Sequence, residues 1–226
     1  MIKVLQDWNE LGEATLSLQR LGLPTHETPQ KNWDLCALHR LTEARPQPVV
    51  LDLGCGTGEA LKLLGTARTC GELHGVDLRI PWRLRLSGWK RQRAAGAAPF
   101  QLHRGDVMRL SFADASIDIA YAISVIEHGI DLGKFFSEVR RVLKPDGMLF
   151  VTTDYWPDPI DTECVRAFDL PWRIFSRQDV ETMIADADRQ GLRLASQMPI
   201  PECTRPTVHW QRRDYTFIQL TFTRKT

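Results

Sequence analysis

Gly54, Gly56 and Gly58 alternate in VVLDLGCGTGEAL, directly after an apolar run and directly before an acid, Glu59. Such a run ending in glycines reads as a buried strand whose terminal loop lets a ligand approach the backbone closely. The dinucleotide fingerprint G-x-G-x-x-G would need a glycine at 59, and no G-x-x-x-x-G-K-[ST] loop occurs. Glu59 at the head of the following helix, and Asp52 just before the loop, would repel a pyrophosphate by roughly 0.3 to 1 kcal/mol, more when desolvated. They suit a ligand with a cationic end and no phosphate. Nineteen residues after Gly58, Asp77 closes LHGVDL, where a carboxylate at a strand end can accept both ribose hydroxyls. Asp106, in HRGDV, is placed to accept from an exocyclic adenine amine. Plainer roles also exist: Asp77 as a helix cap, Asp106 as a turn residue, Glu59 as a partner of the helix dipole, and Asp118 as a structural carboxylate.

These residues need elements to hold them. From residue 48 onward short apolar runs alternate with helical stretches, the pattern of crossover units that build a parallel sheet. Strands are expected near 48–53, 73–77, 100–103, 117–123 and 148–153. Leu132, Phe135, Phe136, Val139, Val142 and Leu143 form a helical stripe that KPDG ends with a turn. Ser176 and Asp179 make a capping-box-like start for a helix carrying Val180, Met183, Ile184 and Ala187, with Gly191 as its stop. Two more strands are expected near 192–197 and 215–223. Before the sheet, Trp8, Leu11, Thr15 and Leu18 fall at helical spacing, and Asn32 reads as the cap of a second helix with Trp33, Cys36 and Leu41, across the loop GLPTHETPQ.

The chain has 226 residues, 43% of them hydrophobic, enough for one substantial core and unlike a disordered or collagen-like composition. Twenty-nine basic and twenty-eight acidic side chains leave a net charge of +1, so no global field draws the protein to nucleic acid or anionic membrane. Five scattered cysteines without a C-x-x-C pair weigh against a disulfide framework and against a zinc site, and fit a reducing cytoplasm. MIKVLQDWNE lacks a signal-peptide core, and no segment reaches the roughly 18 apolar residues of a membrane span, so a soluble protein is expected.

Adenosine joined to a cation describes S-adenosylmethionine, which carries a sulfonium and an ammonium. Here VLDLGCGTG, GVDL, GDV, LSFADASIDIAYAISVIEH and VLKPDGMLFVTT resemble, in order, the motifs of class I S-adenosylmethionine-dependent methyltransferases of the small-molecule, type-11-like kind. The resemblance covers roughly residues 48–153. It implies an α/β, Rossmann-like fold: a seven-stranded, mostly parallel sheet with an antiparallel last strand and helices on both faces. It also implies S-adenosyl-L-methionine as cofactor, S-adenosyl-L-homocysteine as product, and cofactor contacts at Asp52, Gly54, Gly56, Gly58, Asp77, Leu78, Asp106, Val107 and Ile123. The expected organisation is a single domain over 1–226, with an amino-terminal helical segment over 1–45 and the α/β core over 46–226.

Methyl transfer from a sulfonium is an in-line displacement that gains most from positioning and water exclusion. A hydroxyl or ammonium acceptor must also lose a proton, so a base near the ends of strands four and five would help. His128 in SVIEHG leads, with Asp154 and Tyr155, which follow strand five, behind it; His128 could instead pack the adjacent helix or touch the cofactor. Substrate-side loops are expected at 154–175 and 198–214, the latter too long for a tight hairpin. They hold Trp156, Phe168, Trp172 and Arg173, then Arg205, His209, Trp210, Arg212, Arg213 and Asp214. Aromatic walls with guanidiniums would suit a ring-bearing or anionic small molecule, with Trp156, Trp172, His209, Trp210 and Arg212 as its contacts, although such aromatics also serve simply to close a core edge. The stretch RIPWRLRLSGWKRQR, residues 79–93, reads either as a solvated amphipathic helix or as a nucleic-acid contact through Arg83, Lys90 and Arg91. The expectation is therefore methyl transfer to an oxygen or nitrogen of a small molecule, with an RNA methyltransferase or a non-catalytic cofactor-binding module as alternatives.

Overall fold

A computed structural model describes residues 1–80, 97–196 and 198–225. Arg83, Lys90 and Arg91, and with them most of the basic 79–93 stretch, lie outside the described residues.

Four strands run parallel side by side between one edge of the sheet and its centre: β2 (Val49–Leu53), β3 (Glu72–Asp77), β4 (Gln101–Arg104) and β5 (Ile117–Ile123). β6 (Leu143–Tyr155) pairs parallel with β5, and β11 (Arg213–Arg224) pairs antiparallel with β6. With β1 (Ile2–Val4) outside β11, the order is β1-β11-β6-β5-β2-β3-β4, the seven-stranded, mostly parallel sheet expected. Only β11 runs against its neighbours. β9 (Leu192–Leu194) joins the same outer edge of β11 beyond β1, at Phe222–Arg224, while β1 pairs at Ile218–Leu220.

Two cores form because the central strands bury both faces. On one face α4 (Leu132–Val142) and α5 (Arg177–Arg189) press Phe135, Phe136, Val139 and Val180, all 0% exposed, against Leu149, Val151 and Phe222. Full burial of each such side chain stabilises by about 1.5 to 3 kcal/mol. Asp131 caps α4 through Lys134 N at 3.1 Å. Ser176 and Asp179 complete the reciprocal capping box of α5, and Gly191 follows at φ +85°. On the other face lie α1 (Trp8–Arg20), α2 (Pro29–Glu43) and α3 (Glu59–Ala67), with Leu18, Leu38, Leu61 and Tyr121 fully buried.

Four local readings change. Asn32 does not cap α2: Pro29, whose fixed φ favours the first helical position, starts the helix one turn earlier. Asn32 is buried instead, accepting from His26 N at 2.7 Å and donating to Thr15 Oγ1, so that it pins the preceding loop to α1. Trp8 stands 59% exposed at the start of α1 rather than on its buried stripe. β1 was not expected from three residues, IKV, too few to show an alternation. The 198–214 segment ends in a hairpin, β10 (Val208–Trp210) with β11, turning through Gln211 and Arg212 at φ +50° and +60°. That turn type normally takes Asn or Gly, so its residues gave no signal.

No helix among the described residues is long and apolar enough to cross a membrane.

Candidate functional site

The site lies at the carboxyl ends of β2 to β6, where the chain turns from strand to helix. Gly54, Gly56 and Gly58 all adopt positive φ, +79°, +50° and +78°, which side chains rarely tolerate. A Cβ on Gly54 would meet Val125 Cγ2 at 2.5 Å, whereas one on Gly56 would meet nothing within 4 Å. The loop therefore packs on one side and opens on the other. Gly54 N and Cys55 N both bond the Val76 carbonyl, which holds the loop against the end of β3.

Asp77 is locked to this loop: its Oδ2 accepts from Gly56 N at 2.9 Å and its Oδ1 from Arg79 N at 2.9 Å. Each of these oxygens keeps a further lone pair with which to accept. Leu78 beside it is 53% exposed and offers an apolar flank, and Val107, after β4, is buried at 5%. Asp106 folds its own turn, with Oδ1 on Met108 N at 2.8 Å, so the plainer role is present whatever else it does. Ile123 ends β5, half-buried, and Ser124 follows at φ +52°.

Asp52 sits directly opposite Tyr121 in the β2–β5 pairing, on the face beneath α2 and α3, 4% exposed. Burial, opposed by the Tyr121 hydroxyl and reinforced by the charge of Asp77, pushes its pKa up to about 8. That hydroxyl lies outside regular hydrogen-bond geometry, so it offsets little of the cost. A carboxylate in such surroundings favours either a proton or a cation at its side. Glu59, at the first turn of α3, faces away to His26 at 3.0 Å, beside a cavity of about 290 Å³ lined by Pro24, Leu35 and Lys62.

Further along the strand edge lies a second polar group that the sequence analysis did not find. Lys31, on α2, reaches the hydroxyl of Ser124, lies 3.9 Å from Asp34 Oδ2 and sits 5.0 Å from the ring centre of Phe217. Asp34, Glu127 and Asp154 are 0%, 1% and 5% exposed. Asp34 accepts from Gln219 Nε2 at 3.3 Å, Glu127 from Thr153 Oγ1 at 3.0 Å, and Asp154 from Trp172 Nε1 at 2.7 Å. Desolvation raises the pKa of all three, Asp34 to about 6; Lys31 opposes the shift in each, and Glu127 and Asp154 repel one another. The signal in the sequence was a run of polar residues, Gln30, Asn32, Asp34, His39 and Thr42, on a helix that buries them all.

His128 lies just beyond Glu127, its pKa lowered first by burial and then by Lys31, so it is neutral and able to accept a proton. Its Nδ1 is buried without a hydrogen-bond partner among the described residues, and its ring meets Phe168 edge to face at 5.6 Å. Phe168, 80% exposed, and Asp169 form the turn of the hairpin β7 (Arg166–Ala167) and β8 (Leu170–Pro171), both at positive φ. Asp154 and Tyr155 belong to β6 itself rather than following it, and alternation sends them to opposite faces. Tyr155 is fully buried in the core shared with Phe175 and Cys203, so the structure does not bring it to His128 and Asp154.

Among the expected substrate contacts, Trp172 and Trp210 meet edge to face at 4.8 Å, with Tyr215 5.7 Å from Trp172 and Trp156 packed against the same cluster. His209 is 72% exposed and paired with Asp214 at 2.6 Å, and Arg212 is exposed at the turn, so neither joins that cluster. Arg205 is exposed, Arg173 pairs with Asp179 at 2.8 Å, and Arg213 bonds the Asp161 carbonyl at 2.6 Å. Asp118 keeps a structural role, holding Lys144 at 2.8 Å and Val49 N at 2.9 Å. No cluster of three or more His, Cys, Asp or Glu among the described residues is arranged to hold a metal ion.

Residues 51–151 match a family model described as a methyltransferase domain. Among curated proteins, the malonyl-[acyl-carrier protein] O-methyltransferase of Methylovorus sp. is 33% identical over half of this chain and 38% of its own length. An O-methyltransferase of Penicillium expansum is 29% identical over 74% of this chain and 60% of its own. The chain thus spans less than two thirds of the length of these relatives. Among solved structures, the geranyl diphosphate C-methyltransferase of Streptomyces coelicolor A3(2), determined with S-adenosyl-L-homocysteine, superposes with a TM-score of 0.61 at 17% identity, covering 90% of this chain and 85% of that one.

Proposed function

From the class I S-adenosylmethionine-dependent methyltransferase fold that this chain adopts, we propose that it moves the methyl group of S-adenosylmethionine to an oxygen or nitrogen of a small molecule. The observation that carries this reading is the glycine loop: open at Gly56, closed on Val125 at Gly54, and bonded through Gly56 N to Asp77, with Asp52 buried alongside.

The residues present fit the cofactor. Asp52 suits its ammonium, the Asp77 carboxylate its ribose, and Leu78, Val107 and Ile123 an adenine or its edge, with Asp106 nearby. When bound, the cofactor supplies an electrophilic methyl on a sulfonium. The chain's own task is to orient the acceptor, keep water out and take a proton. Ser124, Val125 and His128 link the glycine loop to the strand edge where Asp154 and Glu127 lie, so acceptor and donor share one polar corner. His128, neutral and edge-on to Phe168, is a candidate proton acceptor; Tyr155, turned into the other core, is not carried forward. The Trp172–Trp210–Tyr215 cluster is the proposed apolar wall.

Titration calorimetry tests the reading. S-adenosylmethionine and S-adenosylhomocysteine should bind with micromolar-range affinity, and NAD and ATP should not compete. Binding of NAD or ATP in their place overturns it. Transfer of labelled methyl to small acceptors, absent with RNA, then separates an enzyme on small molecules from an RNA methyltransferase and from a silent binding module.

A further inference from the structure

The strand edge beside the glycine loop buries more negative charge than cofactor binding uses. Asp34 on α2, Glu127 after β5 and Asp154 on β6 converge there, with Lys31 on α2 as their shared cation; His128 after β5 and Tyr215 on β11 are the other titratable groups facing them. Three carboxylates and one ammonium cannot all be charged out of water without further compensation. Such a group takes up positive charge either as protons or as a cationic ligand.

One further atom points to a ligand. Glu127 Oε1 is buried with no hydrogen-bond partner among the described residues, whereas the hydroxyl of Thr152, on the same strand face as Asp154, lies beside Asp34. An orphaned carboxylate oxygen of this kind is rare in folded interiors. The surroundings are aromatic: Trp172 donates its ring N–H to Asp154, Tyr215 packs on Trp172, and the ring of Phe217 already faces an ammonium, that of Lys31. Rings and carboxylates together recognise alkylammonium groups. The guanidiniums that would select an anion are engaged elsewhere or stand on the exposed turn, Arg173 on Asp179, Arg213 on the Asp161 carbonyl and Arg212 in solvent.

We propose that the methyl acceptor is an amine that arrives as an ammonium on an apolar, ring-sized body, its nitrogen held by Glu127 and Asp154 and its body by Trp172 and Tyr215. This inference rests on the proposed methyl transfer and narrows it to nitrogen. The ammonium, held by Glu127 and Asp154, gives one proton to neutral His128, the N–H pair staying on nitrogen. That lone pair bonds to the methyl carbon while the carbon–sulfur pair stays on sulfur. The products are a methylated ammonium, a neutral thioether and a protonated His128, so charge and atoms balance.

The test uses the full chain saturated with S-adenosylhomocysteine, titrated in a calorimeter with benzyltrimethylammonium, benzyl alcohol and phenylacetate. The cation should bind at least tenfold more tightly than the other two. Glu127→Gln and Asp154→Asn should each weaken it at least fivefold while keeping S-adenosylhomocysteine affinity within twofold, which also certifies that the variants fold. Equal binding of the three probes, preference for phenylacetate, or no binding of the cation at millimolar concentration overturns the proposal. With labelled methyl donor, label in 2-phenylethylamine supports it, and label only in 2-phenylethanol or phenylacetate overturns it. A chain that fails to bind S-adenosylhomocysteine at all defeats the proposed function itself, whereas intact binding without a preference for the cation defeats only the amine.

Discussion

Replacing Asp52 by Asn removes a carboxyl that the fold buries beside Tyr121 and near the charge of Asp77. Its pKa stands at about 8 in the folded chain, far above the usual carboxylate value. The native state therefore keeps a proton that the unfolded chain has released. That contribution to stability is fully present below the unfolded pKa near 4 and is lost as the pH rises through about 8. Between pH 5 and 8 the unfolded carboxyl is already ionised, so native stability falls by about 1.4 kcal/mol per pH unit. Over the window the sum is roughly 3 to 4 kcal/mol, a ceiling that water penetration lowers. Asn has no proton to lose. Urea unfolding of both unliganded proteins at pH 5, 6.5 and 8 should show the stability of Asp52→Asn gaining on the parent as pH rises, by an amount of that order. Saturating S-adenosylhomocysteine should close the gap at pH 8, because its ammonium meets the carboxylate and not the amide. A stability difference that stays constant within about 0.5 kcal/mol from pH 5 to 8 refutes the placement of an uncompensated carboxyl at this position.

Three other outcomes are expected. Asp77→Ala should weaken S-adenosylhomocysteine binding by about 1 to 3 kcal/mol, because ribose loses its acceptor and Gly56 N its anchor; an unchanged dissociation constant removes Asp77 from the site. Gly54→Ala and Gly56→Ala should differ in kind: both pay roughly 1 kcal/mol or more for positive φ, but only the first must also displace Val125, and it should show the larger drop in urea midpoint while Gly56→Ala chiefly loses ligand affinity. His128→Ala should slow turnover by about 10²-fold, abolish an acid limb in the pH–rate profile that lies below the usual histidine value, and leave cofactor affinity intact; an unaltered profile removes it as proton acceptor.

The sheet and the glycine loop were legible because their signals are local and periodic. The stripe Phe135–Phe136–Val139–Val142 and the Ser176–Asp179 box each sit within one element, and the structure keeps them. The substrate side was less legible because it depends on direction. Whether Asp154 or Tyr155 joins the polar group is decided by the parity of β6, which continues to Tyr155 rather than ending at 153 as the apolar run suggests. Lys31 and Asp34 lie about ninety residues before Glu127 and reach it only when α2 docks on the sheet, so no spacing rule joins them. The arginines invited an anionic acceptor on composition alone, and their engagement with Asp179 and the Asp161 carbonyl is a tertiary fact. Both rim hairpins turn through Phe168–Asp169 and Gln211–Arg212, residue pairs without the glycine that normally announces such a turn.

That α2 supplies both the ammonium and one of the three acids at the strand edge has a bearing on how the molecule assembles. A folding intermediate with the sheet formed but α2 still undocked leaves Glu127 and Asp154 hydrated and content to be ionised, so alkaline solution does not penalise it. The finished molecule, having enclosed them, favours mild acid. Rising pH thus destabilises the native protein while leaving the intermediate unaffected, and alkalinity should populate the half-assembled form first.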